Sequence, residues 1–87
     1  MNRYDILRLR PEIVRLAQDA LTDETAMDVW IDLLLERGEL QPIVIDHARR
    51  QAFERVYGQG IFEAQERSIH RETAIKLSRR IIRELAR

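Results

Sequence analysis

Glycine and proline are confined to a few separating positions in this chain, and the stretches between them have the apolar spacing of helices. Only 3 glycines and 2 prolines occur among the 87 residues. Pro11 and Pro42 stand where a helix can begin, because proline is tolerated at the first helical position. Gly38 and Gly58 stand where a helix can end, because glycine readily adopts the left-handed conformation found there. The pattern predicts an all-α fold, a small bundle of about four helices in one domain covering residues 1–87.

Residues 1–58 are predicted to form the helical core of this domain. A short helix or arm, "YDILRLR", precedes the helix opened by the first proline, and a second helix occupies "LTDETAMDVWIDLLLERG". A third helix is expected to begin at Pro42 and to end at Gly58. The segment "IVI" within it has the composition of a strand, but no second strand candidate exists to pair with it. The apolar residues expected to face inward from this third helix are Ile45, Ala48, Ala52, Phe53 and Val56.

The second helix carries more apolar surface than a peripheral helix needs. Thr22 or Asp23 can cap its start. A helix on the surface of a domain buries a stripe about 100° wide, whereas the apolar residues of "AMDVWIDLLL" cover more than one face. We therefore expect this helix to be central in the chain or to contact a second chain. The interface candidates on this helix and on the last one are Met27, Trp30, Ile31, Leu34, Leu35, Leu77, Ile81 and Leu85.

Residues 59–87 are predicted to form one amphipathic C-terminal helix, long or bent, whose apolar face changes side near residues 68–71. The apolar positions before this point lie about 160° around the helix from those after it. Either the helix breaks there, with Ser68 capping a new helix, or one continuous helix uses opposite faces for two different neighbours. No strict heptad survives the change, so the pattern excludes a simple coiled coil. The first face holds Ile61, Phe62, Gln65 and Ile69, and the second holds Ala74, Leu77, Ser78, Ile81 and Leu85.

Charge is balanced over the whole chain but divided between its two halves. The formal net charge is +0, yet residues 1–46 hold 5 Arg against 10 Asp or Glu, and residues 47–87 hold 10 Arg or Lys against 5 Glu. Such asymmetry favours either a partner of one sign or a self-complementary surface. Two sets of residues at helical spacing carry much of it. The acidic row is Glu24, Asp28, Asp32 and Glu36, and the basic stripe is Lys76, Arg79, Arg80, Arg83 and Arg87.

The sequence leaves three interpretations of the basic stripe open. It can be a solvated flank without a function. It can follow the phosphates of a nucleic acid with weak, salt-dependent binding, although the chain is neutral overall and Glu72 and Glu84 lie nearby. It can also pair with the acidic row, in the same chain or in a second one, because both rows are about 16–18 Å long at the helical rise. Exposed ion pairs add only about 0–1 kcal/mol each, so they would set orientation and partner choice.

The residues that catalysis or metal binding requires do not occur in recognisable arrangements. The chain has no cysteine, so it can form no disulfide or thiolate site. His47 and His70 lack metal-ligand spacing, and no serine lies in a nucleophile motif. The helix–glycine–helix segment around Gly58 and Gly60 does not fit the register of a helix-turn-helix. We therefore predict no catalytic, cofactor-binding or metal-binding residues and no enzymatic activity.

The sequence favours a small helical protein-interaction module that acts as a regulator, inhibitor or assembly subunit, through homo-oligomerisation or a partner chain. The alternative is a small nucleic-acid-binding regulator that uses the basic C-terminal helix. The N-terminal residues lack the apolar core of a signal peptide. The densest apolar stretch, "VWIDLLLERG", is too short to span a bilayer. We therefore expect a cytoplasmic protein with no membrane contact and no cofactor.

Overall fold

Five helices in succession make up the fold. The computed structural model describes residues 1–87 and contains no strand. The all-α prediction is confirmed, with five helices against the expected number of about four. The difference is the N-terminal arm, which forms a short helix of its own. The helices are α1 (Arg3–Leu7), α2 (Pro11–Asp19), α3 (Glu24–Glu36), α4 (His47–Tyr57) and α5 (Ile61–Leu85).

Polar side chains fix where most of these helices begin. Asn2 and Asp5 form a capping box on α1: the Asn2 side chain accepts from the Asp5 amide at 2.9 Å, and Asp5 accepts from the Asn2 amide at 3.1 Å. Asp23 caps α3 and Asp46 caps α4, each accepting a first-turn amide at 2.9 Å and 2.8 Å respectively. Such caps contribute about 1 kcal/mol each. α2 and α5 differ, because neither Arg10 nor Gly60 at their N-caps makes a side-chain capping bond.

The expected helix start at Pro42 is wrong, because α4 begins at His47. Residues 41–46 have no helical structure. Their backbone bonds to a side chain of α5 instead, since the Ile43 amide donates to Glu66 at 3.0 Å. The aspartate that ends this segment then caps α4. A tertiary hydrogen bond and a strong capping residue thus place the helix start five residues later than the proline indicates.

α5 is one unbroken helix of 25 residues, about 38 Å long at the helical rise. Of the two expectations for its apolar face, the continuous helix is therefore confirmed and the break at Ser68 is wrong. Its first turns contact α4 through Phe62, whereas Ala74 and Glu84 in its second half contact α3 and α1. None of the five helices combines the length and the apolar composition needed to cross a bilayer.

The core lies where α1, α2 and α3 meet the second half of α5, and Trp30 is its largest residue. The Trp30 side chain is fully buried, and its indole Nε1–H donates to the carbonyl oxygen of Ala74 at 3.4 Å. This bond joins α3 to α5 and avoids an unpaired indole N–H in an apolar interior. The buried apolar residues are Ile6, Ala17, Ala20, Met27, Trp30, Ile31, Leu34, Leu40, Ala74 and Ile81.

The molecule is elongated because α4 takes no part in the core. Its principal extents are 48 × 23 × 17 Å and its radius of gyration is 15.2 Å, against about 12 Å for a compact chain of this length. Only 12 of the 87 residues are buried, and none of them lies on α4. α4 contacts no helix except α5. α4 thus lies outside the helical core and forms a hairpin with the first turns of α5, whereas α5 is paired with α3 from Arg67 onward.

Candidate functional site

The outward side of α4 is an apolar stripe that no other part of the chain covers. Ala48, Ala52 and Val56 are four residues apart and so share one side of the helix; we call them the α4 stripe. All three are exposed, Val56 with 74% of its surface. The expectation that they face inward is therefore wrong. Of the residues predicted to face inward from this helix, only Ile45 and Phe53 are partly buried.

The opposite side of α4 is attached to α5 by aromatic rings. The ring centroid of Phe53 lies 4.7 Å from that of Tyr57 and 6.0 Å from that of Phe62. The Phe53 and Phe62 rings meet edge to face at 82°, a favourable arrangement that contributes about 0.5–1.5 kcal/mol beyond burial. Because these rings lie on the side toward α5, the helical geometry directs the α4 stripe away from it.

Arg50 completes the joint between α4 and α5. Its Nε lies 3.4 Å from Glu54 on the same helix, its Nη2 pairs with Glu63 on α5, and its guanidinium carbon lies 5.3 Å from the Phe62 ring centroid. The hydrogen bond to Glu54 is the main cause of a raised pKa for Arg50; burial opposes it, and attraction to Glu63 adds to it. Arg50 thus holds the hairpin together rather than serving the outward surface.

Two arginines flank the α4 stripe. At about 100° per residue, Arg49 lies on one side of the stripe and Arg55 on the other. Arg49 has Asp46 within 3.4 Å, and both side chains are largely exposed. Arg55 is exposed and forms no ion pair. Val44, just before the helix, is 93% exposed. The outward surface of α4 therefore has an apolar centre and positive edges.

The acidic row on α3 is divided between two situations. Glu24 pairs with Arg71, and Asp28 lies 2.6 Å from Arg67. Both pairs connect α3 to α5 within the chain. The second half of the row has no such contact. The carboxylates that form no ion pair are Asp32 and Glu36.

An exposed valine accompanies these two free carboxylates. Val29, Asp32 and Glu36 follow one another at steps of three and four residues, so they lie on one side of α3; we call them the α3 acidic face. All three are exposed, Val29 with 51% of its surface. This face has an apolar residue with negative neighbours. Its negative charge is opposite to the positive charge of the arginines that flank the α4 stripe.

The basic stripe does not reach the acidic row within one chain. Only Arg80 makes a polar contact beyond α5, donating to the carbonyl oxygen of Met1. The expected pairing in the same chain is therefore wrong, because Arg67 and Arg71 occupy that position instead. Arg67 and Arg71 are four residues apart, as are Asp28 and Glu24, but this pairing can be identified only once α3 and α5 are known to pack antiparallel. Lys76 and Arg87 pair with Glu72 and Glu84 of α5, and Arg79 and Arg83 form no ion pair.

Most of the interface candidates are used inside the chain. The wide apolar surface of α3 packs against α2 and α5. This helix was expected to be central in the chain or to contact a second chain, and the structure shows the central position. Helical periodicity identifies residues that share a face but not what covers them. Met27, Trp30, Ile31, Leu34 and Ile81 are buried, Leu35 and Leu77 are partly buried against the core, and Leu85 is exposed.

The two histidines have different surroundings. His47 is exposed in the first turn of α4. His70 is only 6% exposed, and its Nε2 lies 3.1 Å from the carbonyl oxygen of Gln41. His70 thus helps to hold the segment before α4 against α5. No group of three or more His, Asp or Glu side chains is arranged to hold a metal ion.

Comparisons with known proteins found no relative of this chain. No family model, no curated protein and no solved structure matches it. The observations that bear on function are therefore the surfaces themselves, above all the uncovered α4 stripe and the α3 acidic face.

Proposed function

We propose that this chain is a small protein-interaction module that acts as an assembly subunit by self-association. The α4 stripe of one copy docks against the α3 acidic face of a second copy. The observation that carries this proposal is the exposure of the α4 stripe on a helix that lies outside the core.

α4 has little to stabilise it within a single chain. It has 11 residues, none of them buried, and isolated helices shorter than about 12–15 residues are marginal in water. Its attachment to α5 lies on one side only. Covering the α4 stripe would remove apolar surface from water, which is worth about 25 cal/mol per Å². A partner surface would therefore stabilise this helix as well as the assembly.

Charge selects the surface that fits the α4 stripe. Arg49 and Arg55 place positive charge at its edges, so a second α4 stripe would meet it with like charges at a cost in free energy. The α3 acidic face offers the opposite sign together with an exposed valine. Neither surface is needed for the core of its own chain. A second copy of this chain therefore has the chemistry that the α4 stripe requires.

The contact is expected to be weak. One helix face against another buries less than the roughly 1,200–2,000 Å² of a standard stable interface. The apolar part drives association, and the ion pairs set its orientation. We expect association in the micromolar range, with a mass above 10.4 kDa that rises with concentration.

Light scattering on two variants tests this function. Val56→Asp places a negative charge in the α4 stripe, opposite the α3 acidic face, and should return the protein to 10.4 kDa. Ile69→Asp is the matched control, because Ile69 is also an exposed apolar helix residue but lies outside both surfaces. It should associate like the wild type. A wild-type protein that stays monomeric, or equal losses in both variants, would contradict the proposal.

Nucleic-acid binding is the second candidate function. It is favoured by Arg79 and Arg83, two exposed arginines of α5 that form no ion pair. Such binding should appear in fluorescence anisotropy at about 50 mM salt and weaken steeply as salt is added. Replacing both arginines with glutamine should reduce the log–log salt slope by about 0.9 for each lost phosphate contact on duplex DNA. No binding to duplex or single-stranded probes at the lower salt would exclude this candidate.

A further inference from the structure

Three arginines from three helix ends line a cleft of about 420 Å³ on the core side of the molecule, away from α4. Arg8 follows the end of α1, Arg10 precedes α2, and Arg37 follows the end of α3. All three are exposed, and none forms an ion pair or a side-chain hydrogen bond. Three arginines whose guanidinium groups make no hydrogen bond or ion pair within the protein thus border one cleft.

The position of Arg10 is the least expected of the three. Arg8 and Arg37 stand at helix C-termini, where a cation is favourable in the field of the helix. Arg10 stands at the N-cap of α2, where the field is positive and Asp, Asn, Ser or Thr are preferred. It also provides no capping hydrogen bond. A cation at this position gains nothing from the helix field, whereas a bound anion would be favoured by both the arginine and the field.

The backbone at the start of α2 adds a donor to the same cleft. Pro11 has no amide hydrogen, and the amide of Glu12 donates to no protein acceptor. The next amide, of Ile13, already bonds to the carbonyl oxygen of Arg10 at 3.0 Å. First-turn amides without partners are suited to oxyanions because they point out of the helix N-terminus.

Two carboxylates also line the cleft and limit what it can bind. Asp5 already accepts the Asn2 amide at 3.1 Å as part of the capping box. Glu12 has no hydrogen-bond or ion-pair partner and is the carboxylate that competes with an anion for the arginines. Apolar side chains contribute little, since only Leu9 and Ile13 are present. The lining therefore favours a small, polar and strongly charged ligand.

We propose that this cleft binds the phosphate group of a small phosphorylated molecule. A phosphate offers several oxygens to planar guanidinium groups, which bind such oxyanions in paired hydrogen bonds. The cleft volume falls within the range of about 300–1,000 Å³ that is usual for small-ligand sites. The proposal is independent of the proposed self-association, because no residue of α4 or of the α3 acidic face lines the cleft.

Amide chemical shifts in a titration test this site. Inorganic phosphate and glycerol 3-phosphate serve as probes, with sodium chloride adjusted to keep ionic strength constant. We expect saturable shifts at Leu9, Glu12 and Ile13, and tighter binding of the ester than of inorganic phosphate. Arg10→Gln and Arg37→Gln should each weaken binding about tenfold, as expected for the loss of one charge-assisted hydrogen bond.

Two further variants separate a built site from general attraction to positive charge. Arg15→Gln is the matched control, since Arg15 is an exposed arginine of α2 outside the cleft whose one partner is Asp19 at 3.8 Å, and this variant should bind both probes like the wild type. Glu12→Gln removes the competing carboxylate and should tighten binding severalfold. Shifts that rise linearly without saturation would overturn the proposal. Equal weakening by Arg15→Gln and Arg10→Gln, or no gain from Glu12→Gln, would overturn it as well.

Discussion

The guanidinium of Arg67 lies 2.6 Å from the carboxylate of Asp28 and joins α5 to α3. Arg71 and Glu24 repeat the arrangement one turn toward the C-terminus of α5 and one turn toward the N-terminus of α3. The paired carboxylates are those of the N-terminal half of the acidic row, and the pairing stops before Asp32. One half of the row therefore serves the structure of the chain, and the other half is free to contact a partner.

Neutralising the two halves of the acidic row should have different effects. Asp28→Asn should lower the free energy of unfolding by at most about 1 kcal/mol, because it removes one exposed ion pair, and should leave association unchanged. Asp32→Asn combined with Glu36→Gln should change stability by less than about 0.5 kcal/mol but weaken association. Urea denaturation and light scattering measure the two effects. Equal weakening of association by both changes would contradict this division of the row.

Ser78 is the one buried hydroxyl that lacks a hydrogen-bond partner. Leaving such a group unpaired costs about 1–3 kcal/mol, so Ser78→Ala should raise the free energy of unfolding by about 1 kcal/mol in urea denaturation. Ser68→Ala is the matched control, since Ser68 is exposed on the same helix and reports only the higher helix propensity of alanine. If Ser78→Ala stabilises no more than Ser68→Ala, the buried hydroxyl is not the source of the cost.

Hydrogen exchange should report the uncovered state of α4 directly. Helices with few buried contacts open with a low free energy, so the amides of α4 should exchange faster than those of the second half of α5 in dilute solution. Raising the protein concentration should slow exchange in α4, because association covers the α4 stripe. α2 takes no part in the proposed contact and serves as the internal control. A rise in mass without slower exchange in α4 would place the contact elsewhere.

The helical class of the fold could be predicted because its signals are local. Glycine, proline and the apolar period mark α2, α3 and α5 in the sequence. The start of α4 could not be placed, since Pro42 and Asp46 both mark possible helix starts. A tertiary contact, the bond from the Ile43 amide to Glu66, favours the later one. Local signals in conflict are decided by partners that lie far along the chain.

The candidate site could be predicted only in part, for a related reason. The free carboxylates Asp32 and Glu36 belong to the predicted acidic row, but its partners in the chain are set by the antiparallel packing of α3 and α5. On α4, the helical spacing of apolar residues gives two apolar sides, that of Phe53 and that of the α4 stripe. The sequence does not indicate which of them another helix covers. The contact between Phe53 and Phe62 decides this by turning one side toward α5. The α4 stripe is exposed as a consequence.

The central claim is that the α4 stripe of one copy meets the α3 acidic face of another, and a mixing experiment tests it most directly. The first variant carries Arg49→Glu and Arg55→Glu, so both of its surfaces are acidic. The Arg49→Glu change places a carboxylate three residues after the N-cap, a position that suits the start of a helix. The second variant carries Asp32→Lys and Glu36→Lys, so both of its surfaces are basic. Each variant alone should be monomeric because like charges would meet at every contact.

Sedimentation velocity at about 150 mM salt, where charges more than about 8 Å apart are largely screened, measures the mass of each variant and of their equal mixture. We expect 10.4 kDa for each variant alone and association of the mixture to the extent seen for the wild type, because opposite charges again meet. A mixture that stays at 10.4 kDa while the wild type associates, or a wild type that does not associate at all, would rule out contact between the α4 stripe and the α3 acidic face.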